Sequence, residues 1–386
     1  MRYRALTIFV FMLVCISCGS DPENATIETV DGVEYISNHE PVWGEIPDIS
    51  LEFVLRIGEM ESADENYQLF KPVDVDVDSK GNIYVLEAGN CRIQKYSPEG
   101  KYIATFGGEG LGPGEFKRPQ FLTIRDDMMY VRESSSEIIK VLDVNGREVR
   151  RIDLKKSNTR NYGSTNVIVS SDFSLTASNR VISKISDENN MLAILGVDGS
   201  IVNTFAEKRA YEAADEDETL VIIFPDLMNR MSFSTDGEDC IYAVFHNQNR
   251  IEKYSQDGEL LFQIKSDRDY PETTELEKEM REMTMTINGR EVKYEDEMPK
   301  YNTFWTGVQL DEQGRIWTAA YIRQKSDEEK FSEYMRLGIF EPSGRLLGYL
   351  TFPENSSSTF RIIGDSIYFI DKNESMCVYQ YRIDEK

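Results

Sequence analysis

The sequence is poor in the residues from which many active sites are built. Among 386 residues it has two histidines, His39 and His246, so one chain cannot supply the three histidine ligands of a typical catalytic zinc site. It also has no Gly-x-Ser-x-Gly motif of the kind that presents a nucleophilic serine. A calcium site or a pair of catalytic carboxylates needs neither feature, so these two kinds of site stay open.

Basic residues are also scarce. The chain has 43 lysines and arginines against 68 aspartates and glutamates, a formal net charge of −25. Such a surface repels nucleic acid and anionic lipid headgroups. We therefore exclude DNA and RNA as partners. The 40% of hydrophobic residues and 11% of aromatic residues nevertheless suffice for a folded core.

Cysteine is rare outside the N-terminus. After Cys18 only Cys91, Cys240 and Cys377 remain. An odd number at wide spacing predicts no disulfide framework. The fold must then depend on its hydrophobic core, and the redox state of these three thiols is left open.

The sequence lacks an apolar run long enough to cross a bilayer, which takes roughly 20 residues. The one candidate, Ala5–Ile16, follows Arg2 and Arg4 and fits the apolar part of a secretory signal. The segment Val14–Ser20 resembles the lipobox of bacterial lipoproteins, except that Cys15 stands where leucine is usual. The resemblance implies acylation of Cys18, export, and a lipid anchor in the cell envelope, with the outer membrane as the expected location. An ordinary cleaved signal peptide is the alternative.

A repeat of four short strands organises the rest of the chain. Residues 72–107 contain four runs of four to seven residues with alternating side chains, separated by turns such as Ser79–Asn82 and Ser97–Gly100. This pattern is typical of antiparallel strands. Four of them in about 35 residues form one blade of a β-propeller rather than a βαβ unit.

The pattern returns five times, with Asn249–Tyr254 repeating Asn90–Tyr96 almost letter for letter. The last blade stops one strand short, and Leu51–Gly58 reads like the missing fourth strand. A ring closed in this way leaves no open edge. We therefore predict an all-β fold, a six-bladed propeller over 51–386 with four-stranded antiparallel blades, after a signal peptide (1–18) and a tether (19–50). A seventh blade would have to occupy the gap after blade four, where Glu275–Met283 instead predicts a short helix.

A glycine-rich link between the first two blades, Gly108–Pro119, resembles that of NHL-type propellers. The whole pattern from residue 41 onward, including Pro72–Val85 and Asn90–Ile93, is similar to a group of six-bladed propeller lipoproteins of the Bacteroidota. That resemblance implies the fold and the location, and it brings no catalytic residues with it. In the link, the glycines indicate a tight crossing between blades. A phosphate-binding loop is disfavoured because no helix and no Lys-Ser/Thr pair follow.

Strand order places the connections on two faces. The turns between first and second and between third and fourth strands share one face; the links between blades and the loops between second and third strands share the other. We call the latter the long-loop face, because all the long excursions fall there: the glycine-rich link, 206–229, 266–303 and 323–334. Elaborate loops on a rigid scaffold usually carry binding, so we predict that this face binds a partner.

The residues that begin the inner strands should ring the mouth of the central channel. Those that we single out as candidate ligand-binding residues are Lys71, Arg118, Arg230, Trp305, Asp74 and Asp76. Three cations and an aromatic platform would suit an anionic ligand. The competing interpretation is that the cations pair with acidic loops and that the two aspartates are solvated near a turn.

The function that we predict is that of a binding scaffold, with no catalysis assigned and no cofactor required. Its partners would be the membrane, through the lipid anchor, and a protein, small molecule or carbohydrate. The alternative is a metal-dependent hydrolase or lyase with its site in the channel, for which calcium is the open choice. The acidic runs 214–218 and 295–297 lack the ligand spacing of a calcium loop. A structural subunit of an outer-membrane assembly is a third possibility.

Overall fold

The computed structural model describes most of the chain after residue 23. The described ranges are 24–59, 61–133, 138–153, 168–186, 189–196, 199–208, 231–246, 248–266, 283–287, 290–294, 305–325, 331–351, 359–372 and 375–386. Cys18 and the signal segment lie outside them, as do Arg230 and the acidic runs 214–218 and 295–297.

The N-terminal part contributes three strands and one short 3-10 helix. Their bounds are β1 (Ala25–Val30), β2 (Val33–Asn38), β3 (Ile49–Ile57) and the helix Glu65–Tyr67. Blade one follows as β4 (Pro72–Val77), β5 (Ile83–Glu87), β6 (Arg92–Tyr96) and β7 (Tyr102–Gly107). Blade two is β8 (Pro119–Arg125), β9 (Met128–Glu133), β10 (Ile138–Asp143) and β11 (Glu148–Asp153).

The third and fourth blades have the same four-stranded form. Blade three comprises β12 (Ile168–Leu175), β13 (Val181–Ser186), β14 (Asn190–Leu195) and β15 (Ile201–Glu207). Blade four comprises β16 (Met231–Thr235), β17 (Ile241–Phe245), β18 (Ile251–Tyr254) and β19 (Leu260–Ser266).

A separate hairpin, β20 (Met283–Ile287) and β21 (Arg290–Tyr294), stands between blades four and five. The helix predicted over 275–283 is wrong at its last residue, because Met283 begins a strand; residues 275–282 lie outside the described ranges. The spacing of Leu276, Met280 and Met283 suggested a helical stripe. From Met283 onward, however, the sequence Met-Thr-Met-Thr-Ile alternates with the period of two that suits a strand.

The last two blades complete the ring. Blade five is β22 (Gly307–Leu310), β23 (Ile316–Lys325), β24 (Phe331–Phe340) and β25 (Leu346–Thr351). Blade six is β26 (Thr359–Ile363), β27 (Ser366–Asp371) and β28 (Cys377–Glu385), with β3 as its fourth strand.

The six-bladed fold predicted from the repeat is confirmed. The inner strands β4, β8, β12, β16, β22 and β26 contact one another in that cyclic order, and β26 returns to β4. Strand β3 pairs antiparallel with β28, with Ile57 opposite Val378, so the chain's own N-terminal strand closes the ring. Blade three, whose sequence pattern is weak, also forms four antiparallel strands.

Each hydrophobic core lies between two neighbouring blades. Alternation along the strands sends apolar side chains to both faces of every sheet, where the next blade covers them. Val141 of blade two, for example, shares a cluster with Val181 and Leu195 of blade three. Six such clusters connect the blades around the ring. Burying each large aliphatic side chain contributes about 1.5–3 kcal/mol.

The glycine-rich link serves this packing. Phe116 is fully buried between blades one and two, and its ring lies against Gly107, where a β-carbon would come within 2.4 Å of it. Gly107 has a φ of 87°, a conformation that favours glycine. The Glu115 carboxylate accepts the N–H of Gly112 at 2.8 Å. That amide therefore already has an anionic partner from its own loop, which agrees with the structural interpretation of the link.

Short turns on the opposite face are built by aspartates. The Asp78 carboxylate accepts the N–H groups of Lys80 and Asn82 at 3.0 and 2.9 Å, and Asp143, Asp236 and Asp311 accept in the same way two and four residues onward. Burial alone would raise the pKa of Asp78, but the hydrogen bonds from Asn82 and its neighbours outweigh it and hold that pKa at about 2.

The segment predicted as a tether packs along three blades. Strand β2 pairs in parallel with β19, so the β1–β2 hairpin widens blade four to six strands. The backbone N–H groups of Val42 and Trp43 then donate to Leu346 and Leu347 of blade five, before β3 enters blade six. Within the described part of the chain, no helix is long and apolar enough to cross a bilayer.

Candidate functional site

A cavity of about 300 Å³ lies in the central channel. All six inner strands contribute to its wall, mostly through residues in their first half, such as Asp74 of β4, Ser232 of β16 and Arg361 of β26. Lys372, directly after β27, completes the wall on the side of blade six. Inner strands begin where the links between blades arrive, and β27 ends at a loop between second and third strands. The cavity therefore lies toward the long-loop face.

Asp74 is the centre of a polar contact that joins three blades. Its two carboxylate oxygens accept from Nε and Nη2 of Arg361, both at 2.8 Å. They also accept from the backbone N–H groups of Leu122 at 2.8 Å and Val75 at 3.0 Å. Arg361 Nη2 donates in addition to the carbonyl of Leu122. We call this set the channel clamp, since it ties blades six, one and two together at the axis.

The clamp largely cancels the charge of Asp74. Its side chain is 4% exposed, and that of Arg361 is 25% exposed. Burial alone would lower the pKa of Arg361, but the negative charge of Asp74 outweighs it and raises that pKa. The prediction that Asp74 points into the channel agrees with the structure. The alternative, that Asp74 is a solvated residue near a turn, is wrong, because β4 places Asp74 between β8 and β26.

Asp76 repeats the arrangement one step further along β4. Its carboxylate accepts from Ile124 N at 2.7 Å and from Val77 N at 2.8 Å. Although solvent reaches part of the side chain, its enclosure in the channel raises the pKa of Asp76 to about 6, a rise that the charge of Arg361 limits. This is a carboxyl whose charge state changes just below neutral pH.

The predicted ring of cations does not form the cavity wall. Lys71 and Arg118 do precede the inner strands, each with a φ above 50° directly before a proline. Both are exposed, yet neither belongs to the described residues that line the cavity. They stand outside its wall, Arg230 lies outside the described ranges, and a ligand-binding role for all three stays a prediction.

Trp305 is not the exposed aromatic platform that the sequence suggested. It is 2% exposed and packs edge-on against Phe340, with 6.2 Å between ring centroids, in the core shared by blades four and five. An indole ring buries a large apolar area, and the gap between two blades offers more of that burial than the channel mouth does. The aromatic groups that do line the cavity are phenylalanines, among them Phe121, Phe173 and Phe233.

Two functional candidates were missed from the sequence, Arg361 and Lys372. Arg361 is a charged residue on an inner strand, in the sequence Phe-Arg-Ile-Ile, and its position opposite the Asp-Val-Asp of β4 was the available signal. No feature of the sequence pointed to Lys372, because its place at the cavity depends on where β27 ends and the next loop begins.

Ser232, His246 and Thr306 form a second polar group at the cavity. The Ser232 hydroxyl lies 2.9 Å from His246 Nε2 and 2.9 Å from the Thr306 carbonyl oxygen. A hydroxyl has one hydrogen and the carbonyl can only accept, so both bonds form together only if His246 Nε2 donates to Ser232. In that arrangement the histidine does not act as a base toward the serine.

No three His, Cys, Asp or Glu side chains of the described ranges are grouped as a metal site would need. Asp74, the carboxylate nearest the cavity, already accepts four hydrogen bonds, two of them from a guanidinium. The described cysteines Cys91, Cys240 and Cys377 are free thiols.

Comparison with known proteins agrees with this architecture. A family model described as the NHL repeat matches residues 71–96, the first three strands of blade one. The chain carries an NHL repeat. That repeat covers β4, β5 and β6, and the resemblance to NHL-type propellers is confirmed there. No curated protein matches the sequence.

Solved structures share the fold at low sequence identity. One is a DUF4221 family member from Bacteroides vulgatus, with a TM-score of 0.52 and 10% identity over 87% of this chain and 98% of its own. Another, from Bacteroides fragilis, is named as an exported protein; its TM-score is 0.53, with 11% identity over 91% and 99% of the two chains. Virginiamycin B lyase from Staphylococcus aureus has a TM-score of 0.44, with 10% identity over 86% and 99%. These likenesses concern the fold alone.

Proposed function

We propose that this protein is an exported, lipid-anchored propeller of the bacterial cell envelope that binds a ligand in the channel cavity of its long-loop face. The observation that carries this proposal is the cavity itself. It has about 300 Å³, combines phenylalanines with a few polar groups, and lies toward the face at which the inner strands begin. Pockets of this composition at the centre of a rigid scaffold are typical ligand sites.

The rival function, a metal-dependent hydrolase or lyase, is less well supported by the same residues. A calcium site at the channel needs carboxylate oxygens that are free to coordinate. The oxygens of Asp74 are engaged by Arg361 and two backbone N–H groups, and those of Asp76 by two more. A metal would have to displace Arg361 before the Asp74 carboxylate could bind it, and Asp76 is not among the described residues that line the cavity.

Blocking the cavity tests the binding proposal. Thr359 is exposed and lines the mouth, so Thr359→Trp should fill the entrance without entering a core. A thermal-shift screen of organic acids, sugars and peptides on the full chain should give ligands whose stabilisation disappears in Thr359→Trp. The matched control is Thr29→Trp, on the exposed strand β1, which should keep every response. Ligands that stabilise both variants equally would place binding elsewhere and contradict the proposal.

The lipid anchor has an independent test. Cys18→Ser should abolish incorporation of labelled palmitate and release the protein from membranes, whereas Cys15→Ser should leave both unchanged. The two cysteines lie three residues apart in the same signal segment, so the pair separates loss of the acylated residue from general damage to export. Labelling that survives Cys18→Ser would refute acylation at this cysteine.

A further inference from the structure

The wall of the channel cavity is chemically two-sided. Three phenylalanines, Phe121, Phe173 and Phe233, come from blades two, three and four. The two cations, Arg361 and Lys372, both come from blade six, which lies across the ring from blade three. Phe173 of blade three and Phe360 of blade six are only 8% and 5% exposed and belong to the cores shared with blades two and five. Phe121 and Phe233 are the half-buried aromatic rings at the cavity. A ligand in this space therefore meets positive charge on one side and aromatic surface on the other.

Lys372 is the cation whose charge is not used within the described structure. Its side chain is exposed at the mouth, and no described residue forms a hydrogen bond or ion pair with it. Arg361 is different: Asp74 holds its Nε and Nη2 in a fixed position, while no described residue accepts from Nη1. Because Arg361 is 25% exposed, the clamp leaves a fixed donor at the cavity in addition to the exposed charge of Lys372.

The nearby carboxylates limit the charge of the ligand. Asp74 neutralises Arg361, and Asp76 lies two residues along the same strand. The charged residues that line the cavity, Asp74, Arg361 and Lys372, thus carry a net charge of about one lysine, and ionised Asp76 beside them offsets part of it, in a chain of net charge −25. A ligand with two or more negative charges would gain one attraction and meet repulsion from the whole surface.

We propose that the channel cavity recognises a small organic monoanion, a carboxylate with an apolar body, whose carboxylate binds Lys372 and Arg361 Nη1 and whose body packs on Phe121 and Phe233. This inference rests on the proposed function and names its ligand class. The volume of about 300 Å³ is at the small end of the range of ligand pockets, about 300–1,000 Å³. The ligand is therefore a compact molecule rather than a chain of several sugar or peptide units.

The experiment compares a carboxylate with its neutral isostere. Isothermal titration calorimetry on the full chain in detergent at pH 7.5 would use 3-phenylpropionate, 3-phenylpropanamide and inorganic phosphate. We expect the carboxylate to bind about tenfold more tightly than the amide, the scale of one charge-assisted hydrogen bond. Phosphate, mostly a dianion at this pH, should bind more weakly than the carboxylate.

Two lysine variants locate the charge. Lys372→Gln should remove the preference for carboxylate over amide, with little effect on binding of the amide. Lys80→Gln removes the same charge from an exposed turn on the opposite face and should keep the preference. Equal affinities for carboxylate and amide, or a preference that survives Lys372→Gln, would overturn the monoanion proposal.

The outcomes also separate this inference from the proposed function. The screen could yield only neutral or cationic ligands whose stabilisation disappears in Thr359→Trp. That result would support binding in the cavity and refute the assignment of the ligand as a monoanion. A carboxylate that binds Thr359→Trp as tightly as the unmodified chain would refute both. Failure of every carboxylate to bind, while Thr359→Trp abolishes binding of another class, would likewise overturn the ligand assignment alone.

Discussion

The channel clamp gives the sharpest prediction for stability. Arg361→Met removes the guanidinium but keeps a side chain of comparable length, and it leaves the Asp74 carboxylate 4% exposed with two backbone donors. Removing one partner of a buried pair costs about 3–5 kcal/mol when the other charge is fully enclosed. Because Arg361 is 25% exposed and Asp74 keeps those two donors, we expect a loss of about 2–3 kcal/mol in the free energy of unfolding.

The double variant tests whether the two residues act as one unit. Asp74→Asn alone leaves Arg361 with an unpaired charge and weakens the acceptor for Leu122 N, so its cost should be about 2 kcal/mol. If the clamp is the cause, Asp74→Asn with Arg361→Met should cost about 3 kcal/mol, well below the sum of the single effects. The coupling energy would then be about 1–2 kcal/mol, within the range for residues in one network.

The assay is urea unfolding followed by far-UV circular dichroism, with an unchanged m value as the check that the same surface is exposed. Arg382→Met is the matched control on the same blade, because Arg382 pairs with Glu52 and Asp384 at an exposed site. A surface ion pair contributes only about 0–1 kcal/mol. Additive single effects, or an Arg361→Met cost no larger than that of Arg382→Met, would refute the clamp as a joint between blades.

Two further predictions concern the tether and pH. Asn38 is buried, donates to the carbonyls of Lys265 and Gly344, and accepts the N–H of Leu346 at 2.7 Å. Asn38→Ala should therefore destabilise the fold by about 2 kcal/mol in urea unfolding, whereas Asn203→Ala, at an exposed site, should change it by less than about 0.5 kcal/mol. An equal effect of both would disprove the joint role of Asn38. The pKa of Asp76 is raised to about 6 from an ordinary 3.8. Between these two pH values the folded state therefore binds a proton at Asp76 that the unfolded state does not bind. The contribution of Asp76 to the free energy of unfolding accordingly falls as pH rises from about 4 to 6. The stability of Asp76→Asn relative to the unmodified chain should accordingly improve over that interval and level off above it; a difference that is independent of pH would refute the shifted pKa.

The architecture could be predicted from the sequence because each level of the pattern agreed with the next. Turn aspartates such as Asp78, alternating strands and the spare strand at residues 49–57 all point to one closed ring. The hairpin β1–β2 escaped prediction because its outer strand is exposed at every residue after Ala25. Its attachment to β19 depends on a parallel pairing between distant segments, and the local sequence carries no signal for that.

The position of the candidate site in the fold could be predicted from the sequence, but most of the residues that form it could not. Asp74 could be placed on an inner strand because β4 is unmistakable, but the sequence left open whether it faces the channel or solvent near the turn. Trp305 was misjudged because a position next to an inner strand does not fix which way its side chain turns. Arg361 and Lys372 lie in blade six, whose fourth strand comes from the other end of the chain.

The N-terminal segment joins three blades of the ring. It runs along blade four as β2, touches blade five at Val42 and Trp43, and closes blade six as β3. Its first strand begins beside the link that leaves blade four, because Ala25 pairs with Asn38 and Asn38 pairs with Ser266. The cation side of the cavity is on blade six, the same blade that β3 completes. Loss of β3 would thus disturb the position of Arg361 and Lys372 before it disturbed the phenylalanines of blades two to four.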